Sequence, residues 1–205
     1  MGTDMLRIIR YGAVAVIAVL VLGSLAVGLG WLQSARSPSS LRAAGGPVVA
    51  QFHLIDQANK PVGERDVLGR PAVVFFGFTY CPEVCPTTLA SLTGLLGRMG
   101  GQADRLGVFF VTVDPERDTP PALASYLSPF DPRIRGLTGA PDQIAALAKS
   151  LGVYYARVQI EGGGYTMDHT ASVFLLDARG RFVGTIAYDE NADAALTKLK
   201  RLASG

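Results

Sequence analysis

Both cysteines of the chain fall within "GFTYCPEVCPTT", residues 77–88, with Cys81 and Cys85 separated only by Pro82, Glu83 and Val84. Three chemistries suit two such close thiols. A structural disulfide would close a very short loop, which constrains the unfolded chain little and stabilises it little. A redox pair fits better, because vicinal cysteines at a helix start are the dithiol reductase arrangement, although the usual Cys-x-x-Cys is one residue tighter. The wider spacing lets two thiolates spread around a soft metal ion, which then needs at least one further ligand. Only two histidines are available, His53 and His169. His53 alternates with Phe52 and Leu54 in an expected strand, so it points away from their side and reads as a surface residue. His169 lies in "GGGYTMDHTAS", expected as a glycine-rich loop leading into a strand, where nothing favours core burial.

The elements around these residues alternate between short β-branched or aromatic runs and longer helical stripes. "PAVVFFGF" (71–78) is too short for a helix and apolar throughout, as a central strand buried on both faces must be. It runs directly into the cysteines. "TTLASLTGLLGRMG" (87–100) places Leu89, Leu92, Leu95, Leu96 and Met99 on one helical stripe. The thiols therefore stand where a buried strand ends and a helix begins, the edge at which open α/β sheets present ligands. Pro86 suits a first helical position, which puts Cys85 at or beside the N-cap. Unpaired amides and the helix dipole there favour thiolates, so both thiols are expected to be unusually acidic.

"VVAQFHLID", "LGVFFVTVD", "YYARVQI", "TASVFLLD" and "RFVGTIAYD" are further strands, with Arg179 and Gly180 turning between the last two. "PPALASYLSPF" and "PDQIAALAKSLG" are helices opened by proline, and "NADAALTKLKRLA" is a closing amphipathic helix. The pattern predicts a mixed α/β sheet with helices on both faces.

Length and charge limit the function. At 205 residues the chain suits one globular domain with an appendage, large enough to fold without sulfur staples. The net charge of +2 comes from the leading segment: residues 1–45 carry four Arg against Asp4, and residues 46–205 carry fifteen Lys or Arg against sixteen acids. No basic field is left to hold nucleic acid. Residues 11–32, "YGAVAVIAVLVLGSLAVGLGWL", form an uncharged run of 22 residues. About 20 helical residues cross a bilayer core, and the run exceeds the apolar region of a cleavable signal peptide. The expected organisation is a cytoplasmic tail (1–10), a single transmembrane anchor (11–32), a Ser/Ala/Gly/Pro linker (33–46) and a folded domain (47–205). A short leading tail places that domain outside the cytoplasm, on the periplasmic face of the inner membrane.

Three separated segments, "FGFTYCPEVCPTT", "VTVDPERDTP" and "DHTASVFLLDARG", together resemble the Sco (SenC) family of membrane-anchored proteins that assist copper insertion into cytochrome c oxidase. The resemblance covers roughly residues 47–190. It implies a thioredoxin-like fold with an added N-terminal hairpin, and a copper site formed by Cys81, Cys85 and His169. It also implies subunit II of the oxidase as recipient, with an upstream copper donor or a thioredoxin-like reductant as a further partner. Two thiolates and one imidazole suit Cu(I), and the same set accepts Cu(II) with an added oxygen ligand. Two departures from the family pattern stand out: "DQANKPV" lacks the usual turn glycine, and Met167 replaces a more common aliphatic residue.

Other readings use the same residues. The dithiol Cys81/Cys85 also suits a thiol-disulfide oxidoreductase that reduces the recipient's cysteines. A peroxidase of the peroxiredoxin type fits poorly, because Thr79 stands two residues before Cys81 where three are required. Asp168 is read as either orienting the histidine or solvated, and Met167 as a minor thioether candidate. In "DPERDTPPAL", Asp118 or Thr119 is expected to cap the helix begun by Pro120, and Arg117 to pair with Asp114 or Glu116. The alternative role for this segment is a docking surface beside Cys81.

Overall fold

The computed structural model describes residues 49–205. The tail, anchor and linker expected over 1–46 lie outside the described residues. Among the described residues no helix is long and apolar enough to cross a membrane.

The domain opens with a hairpin of β1 (His53–Asp56) and β2 (Pro61–Gly63), paired Leu54 to Val62. Its turn needs no glycine. The Asp56 carboxylate accepts the N–H groups of Ala58 and Lys60, each at 2.9 Å, while Asn59 takes the left-handed conformation at φ 60°. The strand is shorter than expected, since residues 49–52 stand outside it. A one-turn helix, α1 (Glu64–Val67), leads to β3 (Ala72–Gly77), in which every residue is buried.

Then follow α2 (Val84–Met99), a 3₁₀ turn (Gly100–Arg105), β4 (Gly107–Thr112), α3 (Pro120–Leu127), β5 (Ile134–Thr138) and α4 (Pro141–Ser150). The chain closes with β6 (Tyr155–Gln159), β7 (Tyr165–His169), β8 (Val173–Leu176), β9 (Phe182–Ile186) and α5 (Ala192–Ala203).

Seven strands form one mixed sheet in the order β2-β1-β5-β4-β3-β8-β9. β3, β4 and β5 run parallel, in register Val74 to Phe109 and Val111 to Leu137, and β8 joins β3 antiparallel. Helices cover both faces, as the pattern predicted. On one, Leu147 and Leu151 of and beside α4 share an apolar gap with Val74, Phe109 and Leu137. On the other, α2 brings Cys85 against Gly77, and α3 brings Leu123 and Leu127 against Gly136. The predicted stripe of α2 is the buried one, from Leu89 to Met99. Each such leucine contributes about 1.5–3 kcal/mol relative to exposure, so this stripe fixes the helix, and with it Cys85, to the sheet.

One element differs from expectation. Residues 165–169, expected as loop, form β7, which pairs with β6 in a two-stranded sheet of their own, Tyr155 opposite His169 and Gln159 opposite Tyr165. The glycines are confined to the turn, where Gly162, Gly163 and Gly164 all have positive φ. The alternating residues after them suit a strand.

Candidate metal centre

The end of β3 sets the first sulfur. After Phe78 the chain turns, and the Cys81 N–H donates to the Phe78 carbonyl at 3.2 Å. Cys81 is left partly exposed, and Cys85 is fully buried. Cys85 lies deeper in α2 than expected: Glu83 is the N-cap and Pro86 falls inside the first turn, where its missing donor is harmless. Glu83 provides no side-chain cap; instead the Cys85 N–H donates to Cys81 Sγ at 3.3 Å. A sulfur thus occupies the place a capping oxygen usually takes.

His169 closes the cluster from the far end of the hairpin. Its Nε2 is 3.5 Å from Cys85 Sγ and its Nδ1 is 3.1 Å from the Thr170 carbonyl. A carbonyl only accepts, so Nδ1 carries a proton, and Nε2 is the ring nitrogen that faces the sulfurs and can bind a metal. Phe75 and Phe78 flank the ring edge-on, at centroid distances of 6.2 and 5.9 Å. The three ligand atoms all lie within 4.8 Å of one another. Metal bonds of roughly 2.0–2.3 Å separate the ligand atoms of a three-coordinate centre by about 4 Å. The cluster fits a soft ion with sub-ångström adjustment.

The two thiols do not share the acidity expected of them. Cys81 is lowered to about 4, first by the hydrogen bond it accepts from the Cys85 thiol and then by His169 and the amides of Cys85 and Glu83, against the opposing effect of burial. Cys85 is pushed well above the ordinary thiol range, first because it is held as donor to Cys81 and then by burial. The helix start therefore supports one thiolate, on Cys81, and the pair titrates as a coupled unit.

Other predicted residues fall elsewhere. His53 is exposed on β1, where its backbone N–H donates to Gln143 Oε1. Met167 lines a cavity with Val113, Ile144 and Tyr155. Asp168 is exposed, and the Thr170 carbonyl orients the histidine instead. Thr119 caps α3 as predicted, accepting from the Ala122 N–H at 3.4 Å, and Arg117 pairs with Asp114. Asp118 is not a cap. It is buried and accepts from the Thr79 N–H at 3.0 Å, the Thr79 hydroxyl at 2.6 Å and the Thr112 hydroxyl at 2.5 Å, tying the cysteine loop to β4. Sequence spacing did not reveal Thr79, Thr112 and Tyr165 as supports, because their contacts cross 39 residues or more, or depend on which face of a strand each occupies.

The SCO1/SenC family profile matches residues 42–204. The SCO2-like protein of Rickettsia felis is 32% identical over 197 residues, covering 90% of this chain and 96% of that protein. Among solved structures, Bradyrhizobium japonicum ScoI with copper bound is 44% identical, superposes with a TM-score of 0.70, and is matched over 75% of this chain and 98% of its own. Yeast Sco1 with copper bound is 31% identical, with a TM-score of 0.70 over 78% of this chain and 90% of that one. The thioredoxin-like mixed sheet with its N-terminal hairpin is thus the fold of these proteins, and the chain belongs to the SCO1/SenC family.

Proposed function

We propose that this protein is a membrane-anchored copper metallochaperone that holds copper through Cys81, Cys85 and His169 and supports assembly of the copper site in cytochrome c oxidase subunit II. The observation that carries the reading is the convergence of two sulfurs with an imidazole whose Nε2 is already turned toward them. Such a set suits Cu(I), and also Cu(II) if an oxygen ligand is added. Three ligands, one of them on a partly exposed cysteine, leave a side open for ligand exchange with a recipient. An upstream donor supplies the metal, and the anchor over 11–32 keeps the domain on the periplasmic face of the inner membrane.

Anaerobic titration of the reduced full chain with Cu(I), read by X-ray absorption, tests this. One ion per chain with two sulfurs and one nitrogen is expected. Replacing His169 by Ala should remove the nitrogen and weaken retention; wild-type affinity in that variant refutes the three-ligand site.

The thiolate on Cys81 favours a second reading of the same pair. As a thiol-disulfide reductase, Cys81 attacks a recipient disulfide to form a mixed disulfide; Cys85 then loses its proton and displaces the recipient's second thiol. The recipient leaves as a dithiol and this chain as the Cys81–Cys85 disulfide, which a thioredoxin-like reductant restores. His169→Ala should still perform this exchange.

A further inference from the structure

The hairpin that carries His169 shares no backbone ladder with the seven-stranded sheet. An isolated two-stranded hairpin is marginal in water, so something outside it must set where the imidazole sits. We propose that Arg117 is the positioning residue that does this, latching the hairpin to the cysteine loop; the inference rests on the copper reading above.

The guanidinium carbon of Arg117 lies 3.9 Å from the ring centroid of Tyr165 on β7 and 4.6 Å from that of Tyr80, the neighbour of Cys81. One group therefore touches an aromatic ring on each of the two segments that supply ligands. Its Nη1 donates to the Tyr165 carbonyl at 3.1 Å, and its Nε donates to the Asp114 carboxylate. The Tyr165 hydroxyl donates to the same carboxylate at 2.9 Å. Asp114 is 1% exposed and Arg117 24%, so this ion pair is shielded from water. The ion pair that the hairpin itself makes with this segment, Arg157 with Glu116, is 42% and 62% exposed and holds little.

The residue after Arg117 completes the bracket, because Asp118 grips Thr79, two positions before Cys81. Segment 114–118 thus holds the cysteine loop through Asp118 and the histidine hairpin through Arg117. Nη2 of Arg117 is buried without a hydrogen-bond partner, so the stack and Asp114 keep the guanidinium in place rather than a complete set of polar contacts. Lysine cannot substitute, since a compact point charge lacks the planar fork that contacts both rings and donates in two directions.

The test is a double-mutant cycle on the reduced full chain, with Cu(I) affinity by competition and nitrogen ligation by X-ray absorption. Arg117→Leu should weaken copper binding about 10–100-fold, the scale seen when a group that orients a metal ligand is removed, and the nitrogen should be lost while both sulfurs remain. Tyr165→Leu, which leaves the Arg117–Asp114 pair intact, should do the same. In a His169→Ala background, Arg117→Leu should cost no more than about twofold, since residues acting through one another are non-additive. Retained nitrogen ligation in Arg117→Leu and Tyr165→Leu overturns the proposal. So does a full further loss in the His169→Ala background, which marks a merely structural effect. Wild-type affinity in His169→Ala alone sinks the three-ligand site, and the latch falls with it.

Discussion

Gly77 ends β3 against the Cys85 sulfur, and adding a single methyl there should damage both the fold and the site. A Cβ at this position would stand 2.7 Å from Cys85 Sγ and 2.7 Å from Phe110 Cε2. Comfortable contacts begin near 3.5 Å, so the sulfur and the ring must both retreat by about 1 Å. Neither has room, because both residues are 0% exposed. Overpacking of this kind costs about 1–3 kcal/mol. For a domain of this size each kcal/mol lowers the thermal midpoint by roughly 2–4 °C, so Gly77→Ala should melt about 2–12 °C below wild type. Because ligand positions matter to about 0.2 Å, the same displacement should also weaken Cu(I) binding, by about tenfold or more. Gly107→Ala is the control. Its Cβ would meet the Phe109 ring at 2.8 Å, a comparable clash at the opposite end of the paired strands, away from the sulfurs. Thermal melts of the metal-free chain and Cu(I) competition titrations should show both variants destabilised but only Gly77→Ala impaired in binding. A Gly77→Ala protein with wild-type copper affinity would refute the claim that Cys85 is pinned by the sheet.

Two further outcomes are expected. Cys81 is depressed in the folded state to about 4, so between that pH and the unfolded thiol's range the unfolded chain binds the extra proton and stability rises with pH. The difference in thermal midpoint between the reduced metal-free wild type and Cys81→Ser should therefore grow from pH 5 to pH 8, and alkylation by iodoacetamide should select Cys81 over Cys85 throughout that window. A flat difference, or equal labelling of both thiols, contradicts the assignment of the thiolate. Asp118→Ala strands the Thr79 N–H and two hydroxyls that now donate to the buried carboxylate; at about 1–3 kcal/mol for an unsatisfied buried group, urea denaturation should show at least that loss, whereas a neutral result would mean water replaces the carboxylate.

What the sequence determined by itself was chemistry and periodicity. An apolar run from Ala72 to Gly77 had no alternative to a buried strand, and leucines at helical spacing had to face it, so the two cysteines were bound to meet at the strand-to-helix junction. These are local consequences of residue type. The Cys81/Cys85 motif together with its distant histidine was legible only through resemblance, because no local rule connects residues 84 positions apart. Tertiary structure decided the remainder. It made residues 165–169 a strand rather than a loop, since pairing with β6 supplies hydrogen bonds that no local propensity reveals. It gave the negative charge to Cys81 alone, because two sulfurs sharing one proton in a buried corner cannot both be ionised. It left the cap to Thr119 and made Asp118 a tie to the cysteine loop, because Thr79 approaches it only once β3 and β4 lie side by side.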